Sequence, residues 1–130
     1  MFFKVFRRIG PTVAASAYAV TLVLATHVPR PERFLSRVEL SDKILHLVSY
    51  CLLASFTAMA VRSAGRWSTR SALGLAIALA AFGAIDEITQ PLFSRRAELL
   101  DWAADCAGIA VGIAVVAIAS SVWGRGSRKA

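Results

Sequence analysis

Four long apolar stretches, separated by short segments that hold most of the charged residues, dominate the pattern of this 130-residue chain. Windows of about 19 residues predict membrane-spanning helices over residues 9–28, 44–61, 71–90 and 102–123. Strands do not explain these stretches, because they are far longer than a strand, lack an alternation of period two and are rich in alanine and leucine. The sequence therefore predicts an all-α fold, a four-helix transmembrane bundle that forms a single domain over residues 1–130.

Local signals mark the ends of the predicted helices. Ser41 is a candidate N-cap for the second helix, with Asp42 favoured by the helix dipole in its first turn. Pro91 is expected to end the third helix just after Gln90. The three tryptophans fall near predicted membrane edges, as interfacial aromatic residues do: Trp67, Trp102 and Trp123.

The first apolar stretch has an alternative interpretation as a signal peptide, because Lys4, Arg7 and Arg8 precede it and Val23–Ala25 could form part of a cleavage site. Cleavage would leave a mature chain that begins near Thr26. We favour a retained span, because the apolar run of about 20 residues exceeds the roughly 7 to 15 of a signal-peptide core. No soluble mature domain follows it either.

Composition supports a membrane protein and excludes an ordinary soluble domain. The chain is 57% hydrophobic and 18% charged, with a mean hydropathy of +0.61. Four spans of about 20 residues leave about 50 residues for loops and tails, which is too few for a soluble catalytic domain. The two cysteines, Cys51 and Cys106, lie inside apolar stretches without the spacing of a zinc or redox motif, so we interpret them as packing residues.

The charges predict an orientation. The chain has 15 basic and 8 acidic residues, and the basic ones stand in short groups at the ends of apolar stretches, which indicates membrane orientation and not nucleic-acid binding. The two tails and the second loop hold nine basic residues, whereas the first and third loops hold six. We therefore expect a protein of the cytoplasmic (inner) membrane with both termini on the cytoplasmic side. All acidic residues lie in or beside the first and third loops: Glu32, Glu39, Asp42, Asp86, Glu87, Glu98, Asp101 and Asp105.

With both termini cytoplasmic, the first and third loops face outward. Three predicted helices carry a stripe of polar residues near that outward side. Residues at i, i+4 and i+8 share one helix face, which is the spacing of Asp42, His46 and Tyr50 in the second helix. Similar stripes occur at the end of the third helix and the start of the fourth. The stripes and three basic residues beside them form a predicted polar cluster, our candidate functional site: Asp42, Lys43, His46, Tyr50, Asp86, Glu87, Gln90, Arg95, Arg96, Asp101 and Asp105.

A carboxylate that faces lipid costs about 2.5 to 3.5 kcal/mol at mid-depth, so carboxylates in spans usually turn inward and pair. We therefore assign Asp86, Glu87 and Asp105 a functional or bundle-organising role. His46 could equally be a hydrogen-bonded packing residue, and we interpret His27 as interfacial. The small residues Gly108 and Gly112 predict a close helix contact. The remaining charges are expected only to mark helix ends and solvated loops: Glu32, Arg33, Arg37, Glu39 and Glu98.

The order of these motifs resembles the VanZ-like family of small bacterial membrane proteins. The pattern is D-K-x-x-H-x-x-x-Y from Asp42, then D-E-x-x-Q from Asp86, an arginine, and D-x-x-x-D-x-x-G from Asp101. The resemblance runs from about residue 20 to residue 118. No glycine precedes the arginine pair as it often does in the family, so either Arg95 or Arg96 could be the matching residue.

The resemblance implies a four-helix envelope protein, since the founding member is associated with reduced susceptibility to the lipoglycopeptide teicoplanin. It implies no established mechanism. The polar cluster would then bind a cell-wall precursor, a lipid headgroup or a lipoglycopeptide at the outer face of the bilayer. A phosphotransbutyrylase activity has no support, because the chain lacks a glycine-rich phosphate loop.

Two other function classes stay open. In an intramembrane hydrolase or transferase, His46 and a carboxylate would act as base and acid, or Asp42, His46, Asp86 and Glu87 would hold a divalent metal. No H-E-x-x-H spacing or nucleophile motif is present, so we predict no metal or cofactor and do not favour an enzyme. In a small proton-coupled transporter, acidic groups within spans would carry protons, and an oligomer would be needed to enclose a path.

Overall fold

The computed structural model describes residues 2–27 and 39–126, with side chains described for residues 9–27 and 42–122. It contains four long helices, α1 (Phe2–Thr26), α2 (Glu39–Ser63), α3 (Thr69–Thr89) and α4 (Leu99–Gly126). A short 3₁₀ helix, Gln90–Phe93, follows α3 directly. The described ranges contain no strand. The predicted all-α, four-helix architecture is therefore confirmed.

Some predictions lie outside the described part of the chain. They concern the first-loop residues Glu32, Arg33 and Arg37 and the side chains of Glu39 and Trp123. The side chains of the basic residues in the two tails also belong to this group: Lys4, Arg7, Arg8, Arg125, Arg128 and Lys129.

All four helices are long and apolar enough to cross a membrane. The qualifying segments range from 18 residues, in Ile9–Thr26, to 25 residues, in Thr69–Phe93. At 1.5 Å per residue, even the shortest is about 27 Å long, close to the roughly 30 Å of a bilayer hydrocarbon core. The chain is a multi-pass membrane protein.

The helix ends depart from the sequence prediction. Helix α2 begins at Glu39, so Ser41 lies within its first turn and is not the N-cap that we expected. Helix α3 begins with a cap that the sequence analysis missed. There the Ser68 side chain accepts from the Ser71 backbone N–H, and the Ser71 side chain accepts from the Ser68 N–H. Hydropathy detects only the apolar middle of a helix, whereas the helix itself continues into the polar interface, where water satisfies its last backbone groups.

The distribution of side chains is the reverse of that in a soluble protein. Large apolar residues such as Leu73, Ile77 and Ile118 point outward and are more than 60% exposed. The interior contains small residues such as Ala54 and Ala58, together with several buried polar groups. This arrangement is stable only where lipid covers the outer surface, because hydrocarbon solvates apolar side chains and penalises polar ones.

Helices α2 and α4 form the tightest contact of the bundle. A Cβ atom added to Gly108 would overlap the backbone carbonyl oxygen of Leu47, and one added to Gly112 would overlap that of Cys51. The two backbones therefore touch through the glycines, as small residues allow between membrane helices. Helix α1 packs against α2, and α3 packs against α4 and, less extensively, against α2. Both cysteines are free thiols.

Candidate functional site

The C-terminal ends of α1 and α3 and the N-terminal ends of α2 and α4 meet at one end of the bundle. The antiparallel order of the helices brings these ends together, and hydrogen bonds between their side chains join α1 to α3 and α2 to α4. The polar cluster forms here. Its buried members come from α2, α3, the 3₁₀ helix and α4, and Thr26 at the end of α1 is buried with them: His46, Tyr50, Asp86, Glu87, Gln90, Asp101 and Asp105.

His46 of α2 and Asp105 of α4 form the most deeply buried polar pair. The His46 Nδ1 atom lies 2.9 Å from Asp105 Oδ1, and the two side chains are 6% and 1% exposed. A carboxylate can only accept hydrogen bonds, so Nδ1 is the donor in this pair, and in the neutral imidazole the lone pair then lies on Nε2. Asp105 therefore fixes both the orientation and the tautomer of the imidazole.

Lys43 links α2 to the start of α4 at the edge of the cluster. Its Nζ atom donates to Glu98 Oε2 at 2.9 Å and to Asp101 Oδ1 at 3.0 Å. Glu98 precedes α4 and lies outside the membrane-spanning segments. The hydrogen bond from Lys43, reinforced by its positive charge, lowers the pKa of Glu98. The contact thus joins an exposed carboxylate and a buried one through a single ammonium group.

Asp86 of α3 is held from α1. The Thr26 hydroxyl donates to Asp86 Oδ1 at 2.9 Å, and His27 Nδ1 lies 3.5 Å from the same oxygen. The Nε2 atom of His27 lies 2.9 Å from the Thr89 hydroxyl. Two side chains at the end of α1 therefore attach that helix to the end of α3.

Arg95 connects the α1 end to α2. Its guanidinium donates to the Thr26 carbonyl oxygen at 3.2 Å and lies 3.8 Å from Asp42 Oδ1. Arg96 is exposed and makes no hydrogen bond or ion pair with a described residue. The structure therefore places Arg95, and not its neighbour, in the polar cluster.

Glu87 and Gln90 order the chain between α3 and α4. The side-chain amide of Gln90 donates to Glu87 Oε2 at 3.1 Å, and the Glu98 backbone N–H donates to Glu87 Oε1 at 2.5 Å. Both carboxylate oxygens of Glu87 are thus used within the protein. These hydrogen bonds hold the segment between α3 and α4, which contains Arg95 and Glu98, against the end of α3.

Tyr50 lies at the inner limit of the cluster. Its side chain is fully buried, and its hydroxyl has no hydrogen-bond partner among the described residues. Gly83 of α3 provides the space for it, because an added Cβ would lie 3.2 Å from the Tyr50 ring and 3.2 Å from Asp105 Oδ2. The hydroxyl is therefore an unused donor and acceptor beside a buried carboxylate.

Several partners in this network were not predicted from the sequence. His27 was assigned to the interface and Glu98 to the solvated loops, yet both contact cluster residues. Thr26, Thr89 and Gly83 were not selected at all, since no spacing singles out such common helix residues. Trp102, interpreted as an interfacial aromatic residue, also donates from its indole N–H to the Ala80 carbonyl oxygen of α3.

Three members of the cluster could hold a metal ion. One donor atom from each of Asp42, His46 and Asp101 lies within 4.8 Å of the other two. This set differs from the metal alternative in the sequence analysis. Asp86 and Glu87 belonged to that alternative, but they bond to Thr26, Gln90 and Glu98 instead.

Comparisons with protein-family models, with curated proteins and with solved structures give no match for this chain. The resemblance of its Asp42, Asp86 and Asp101 segments to the VanZ-like family therefore stays a prediction.

Proposed function

We propose that this protein is an envelope protein of the bacterial cytoplasmic membrane and that its polar cluster binds the anionic headgroup of an amphiphile at the outer face. The headgroup could belong to a lipid, a cell-wall precursor or a lipoglycopeptide, and the last would agree with the resemblance to the VanZ-like family. The observation that carries the proposal is the polar cluster itself, which gathers ionisable side chains from three of the four helices at one end of the bundle.

A purely structural network would be expected to satisfy its own members, because buried polar groups without partners are costly. This network does not. The Tyr50 hydroxyl is buried without a partner, and the Nε2 atom of His46 makes no hydrogen bond to a described residue. The α2–α4 pair is also held by its glycine contact, independently of these charges. The unused groups favour a ligand-binding role.

The basic members of the cluster suit an anion. A guanidinium group has five N–H donors arranged for carboxylate or phosphate oxygens. Arg95 uses few of them, with one hydrogen bond to Thr26 and one longer contact to Asp42. Lys43, which follows the Arg95 partner Asp42 in α2, is partly exposed. An amphiphile could place its acyl chains along the apolar outer surface of the bundle and its headgroup against these two cations.

Complementation of a deletion strain tests the proposal. The strain would be compared with its parent on a panel of cell-wall antibiotics that includes teicoplanin, and then complemented with Arg95→Gln or Asp86→Asn. Both variants are expected to lose complementation while the protein still accumulates in the membrane. The matched control is Arg96→Gln, which removes the same charge from the adjacent, unpaired position and should complement fully.

Two results would contradict the proposal. One is a deletion strain that grows like its parent on every antibiotic of the panel. The other is full complementation by both Arg95→Gln and Asp86→Asn, which would show that the cluster serves the fold alone.

The His46–Asp105 pair favours hydrolysis or group transfer on a lipid-linked substrate as the second candidate function. A histidine oriented by a buried carboxylate is the usual arrangement of a general base. His46→Gln separates the two candidates. If the protein is an enzyme, this variant loses complementation but still binds the headgroup, whereas a simple binding protein keeps both properties or loses both.

A further inference from the structure

We propose that the polar cluster contains a binding site for one divalent transition-metal cation, formed by Asp42, His46 and Asp101. The donor atoms come from α2 and α4, the two most closely packed helices, and lie within 4.8 Å of one another. This site goes beyond the proposed function, because a cation can bind there whether or not an amphiphile does.

The size of the donor triangle is close to that of an occupied site. Metal bonds to histidine nitrogen and carboxylate oxygen are about 2.0 to 2.2 Å long, so three donors spread evenly around one cation lie at most about 3.8 Å apart. A shift of about 0.8 Å or less in each donor position would bring a triangle with sides of up to 4.8 Å onto such a cation. Asp42 can supply it by side-chain rotation, since its side chain is 41% exposed.

His46 is prepared for metal binding by Asp105. Histidine ligands characteristically donate their second ring N–H to a carboxylate, which fixes the tautomer and makes the other nitrogen more basic. Here Nδ1 bonds to Asp105 at 2.9 Å, and Nε2 is left without a hydrogen-bond partner among the described residues. A buried imidazole with one nitrogen unused is the observation, apart from the carboxylates, that points to a bound cation.

Both carboxylates keep one oxygen for the cation. The Oδ1 atom of Asp101 contacts Lys43, and the Oδ1 atom of Asp42 faces Arg95 at 3.8 Å. Neither Oδ2 atom hydrogen-bonds to a described residue. Two carboxylates also balance the double positive charge of the ion. Lys43 competes with the cation for Asp101, so its removal should strengthen metal binding.

The donor set indicates the class of metal. One imidazole and two carboxylates suit Zn²⁺ or Mn²⁺ better than Mg²⁺, which prefers oxygen ligands alone. Three protein ligands leave at least one coordination position for water or for an anionic oxygen of a ligand. A phosphate oxygen of a headgroup would fit that position.

Calorimetric titration of the full chain tests the site. The tag-free protein, stripped with a chelator in mild detergent, would be titrated with Zn²⁺ and separately with Mn²⁺. We expect one equivalent of at least one of these ions to bind. Asp42→Asn and His46→Gln should each weaken binding at least 10-fold. The positioning variant Asp105→Asn should weaken it about 10- to 100-fold, and Lys43→Met should strengthen it.

Matched controls use a histidine and an acidic residue close to the site but outside it. His27→Gln should bind the metal within about twofold of the parent, and Glu98→Gln, which leaves Lys43 to Asp101 alone, should weaken binding less than Asp42→Asn does. Asp42→Asn is the decisive variant, because Asp42 is partly exposed and its replacement by a residue of the same size should leave the fold intact. Elution from size-exclusion chromatography at the parent volume would confirm this.

The absence of stoichiometric binding for both ions would overturn the site. Equal weakening by Glu98→Gln and Asp42→Asn would also overturn it, because the binding would then be nonspecific surface attraction. Normal metal binding by the parent protein, together with full complementation of the deletion strain by both Arg95→Gln and Asp86→Asn, would contradict the proposed function and leave the metal site standing.

Discussion

Lys43 holds two carboxylates in different surroundings, since Glu98 is about half exposed and Asp101 is buried. The hydrogen bond from Lys43 favours the ionised form of Glu98 and so lowers its pKa relative to the unfolded chain. A carboxylate with a lowered pKa stabilises the fold at pH values above its unfolded pKa. That contribution is lost as the pH falls through the lowered value. The effect is small, because water and salt screen an exposed pair.

The variant Lys43→Met should return the pKa of Glu98 toward the usual glutamate value, because it removes both the hydrogen bond and the positive charge that lower this pKa. Carbon-detected NMR titration of labelled protein in detergent would measure this. The control Arg66→Met removes a basic residue from the loop between α2 and α3, far from Glu98 along the helices, and should leave its pKa unchanged. An unchanged Glu98 pKa in Lys43→Met would show that the two residues do not pair.

Single residues also show where sequence reasoning stopped. Helical spacing was enough to select His46 and Asp105, because polar groups within an apolar stretch must find partners. Thr26 could not be selected, since a threonine at the end of a span can satisfy its hydroxyl on its own helix. The choice between Arg95 and Arg96 depends on the turn before them, where Ser94 adopts the left-handed region at φ 62°. No pattern in the sequence specifies that turn.

At the scale of the helices, the spans were predicted well and their ends were not. Hydropathy fixes the middle of each helix, because the bilayer requires about 20 apolar residues there. It does not limit the helix where the chain enters the interface, so α2 starts at Glu39 and α4 at Leu99, earlier than predicted. The glycine pair of α4 was recognised from its spacing alone, and the structure shows the surface it meets: the backbone of α2 at Leu47 and Cys51.

Gly108→Ala and Gly112→Ala should each destabilise the bundle. The added methyl group meets backbone atoms of α2, which can move only if the two helices separate. Overpacking of this kind costs about 1 to 3 kcal/mol. Thermal unfolding in mild detergent, followed by circular dichroism, would show a lower Tm for both variants.

The matched control is Gly74→Ala in α3, where an added Cβ meets nothing within 4 Å. Its Tm should equal or slightly exceed that of the parent, because alanine favours a helix more than glycine does. If all three variants unfold at the same temperature as the parent, α2 and α4 do not touch through these glycines.

At the scale of the whole molecule, the apolar lipid-facing surface determines where the ionisable side chains of the polar cluster can lie. A bundle whose outer surface is apolar must place its ionisable groups inside or at its ends. Here they gather at the end where α1 and α3 finish and α2 and α4 begin. The opposite end, at the turn between α2 and α3, carries basic residues and no acidic ones: Arg62, Arg66 and Arg70.

This difference between the two ends predicts the topology. Basic loops stay on the cytoplasmic side, where anionic lipid also attracts them. The turn around Gly65 should therefore be cytoplasmic, and the segment around Arg95, with the polar cluster beside it, should face outward. Alkaline phosphatase folds to an active enzyme only when exported, so a fusion after residue 65 should be inactive and a fusion after residue 95 should be active.

Fusions of a fluorescent protein that matures only in the cytoplasm provide the reciprocal control. The fusion after residue 65 should fluoresce, and the fusion after residue 95 should be dark. Each fusion position is thus tested with one reporter that is active only outside the cytoplasm and one that is active only inside it. Poor expression of a single fusion therefore cannot produce the expected pattern. The reverse pattern would place the polar cluster on the cytoplasmic side. A headgroup or metal ion would then have to reach Arg95 and His46 from the cytoplasm, and a lipoglycopeptide outside the cell could not be the ligand.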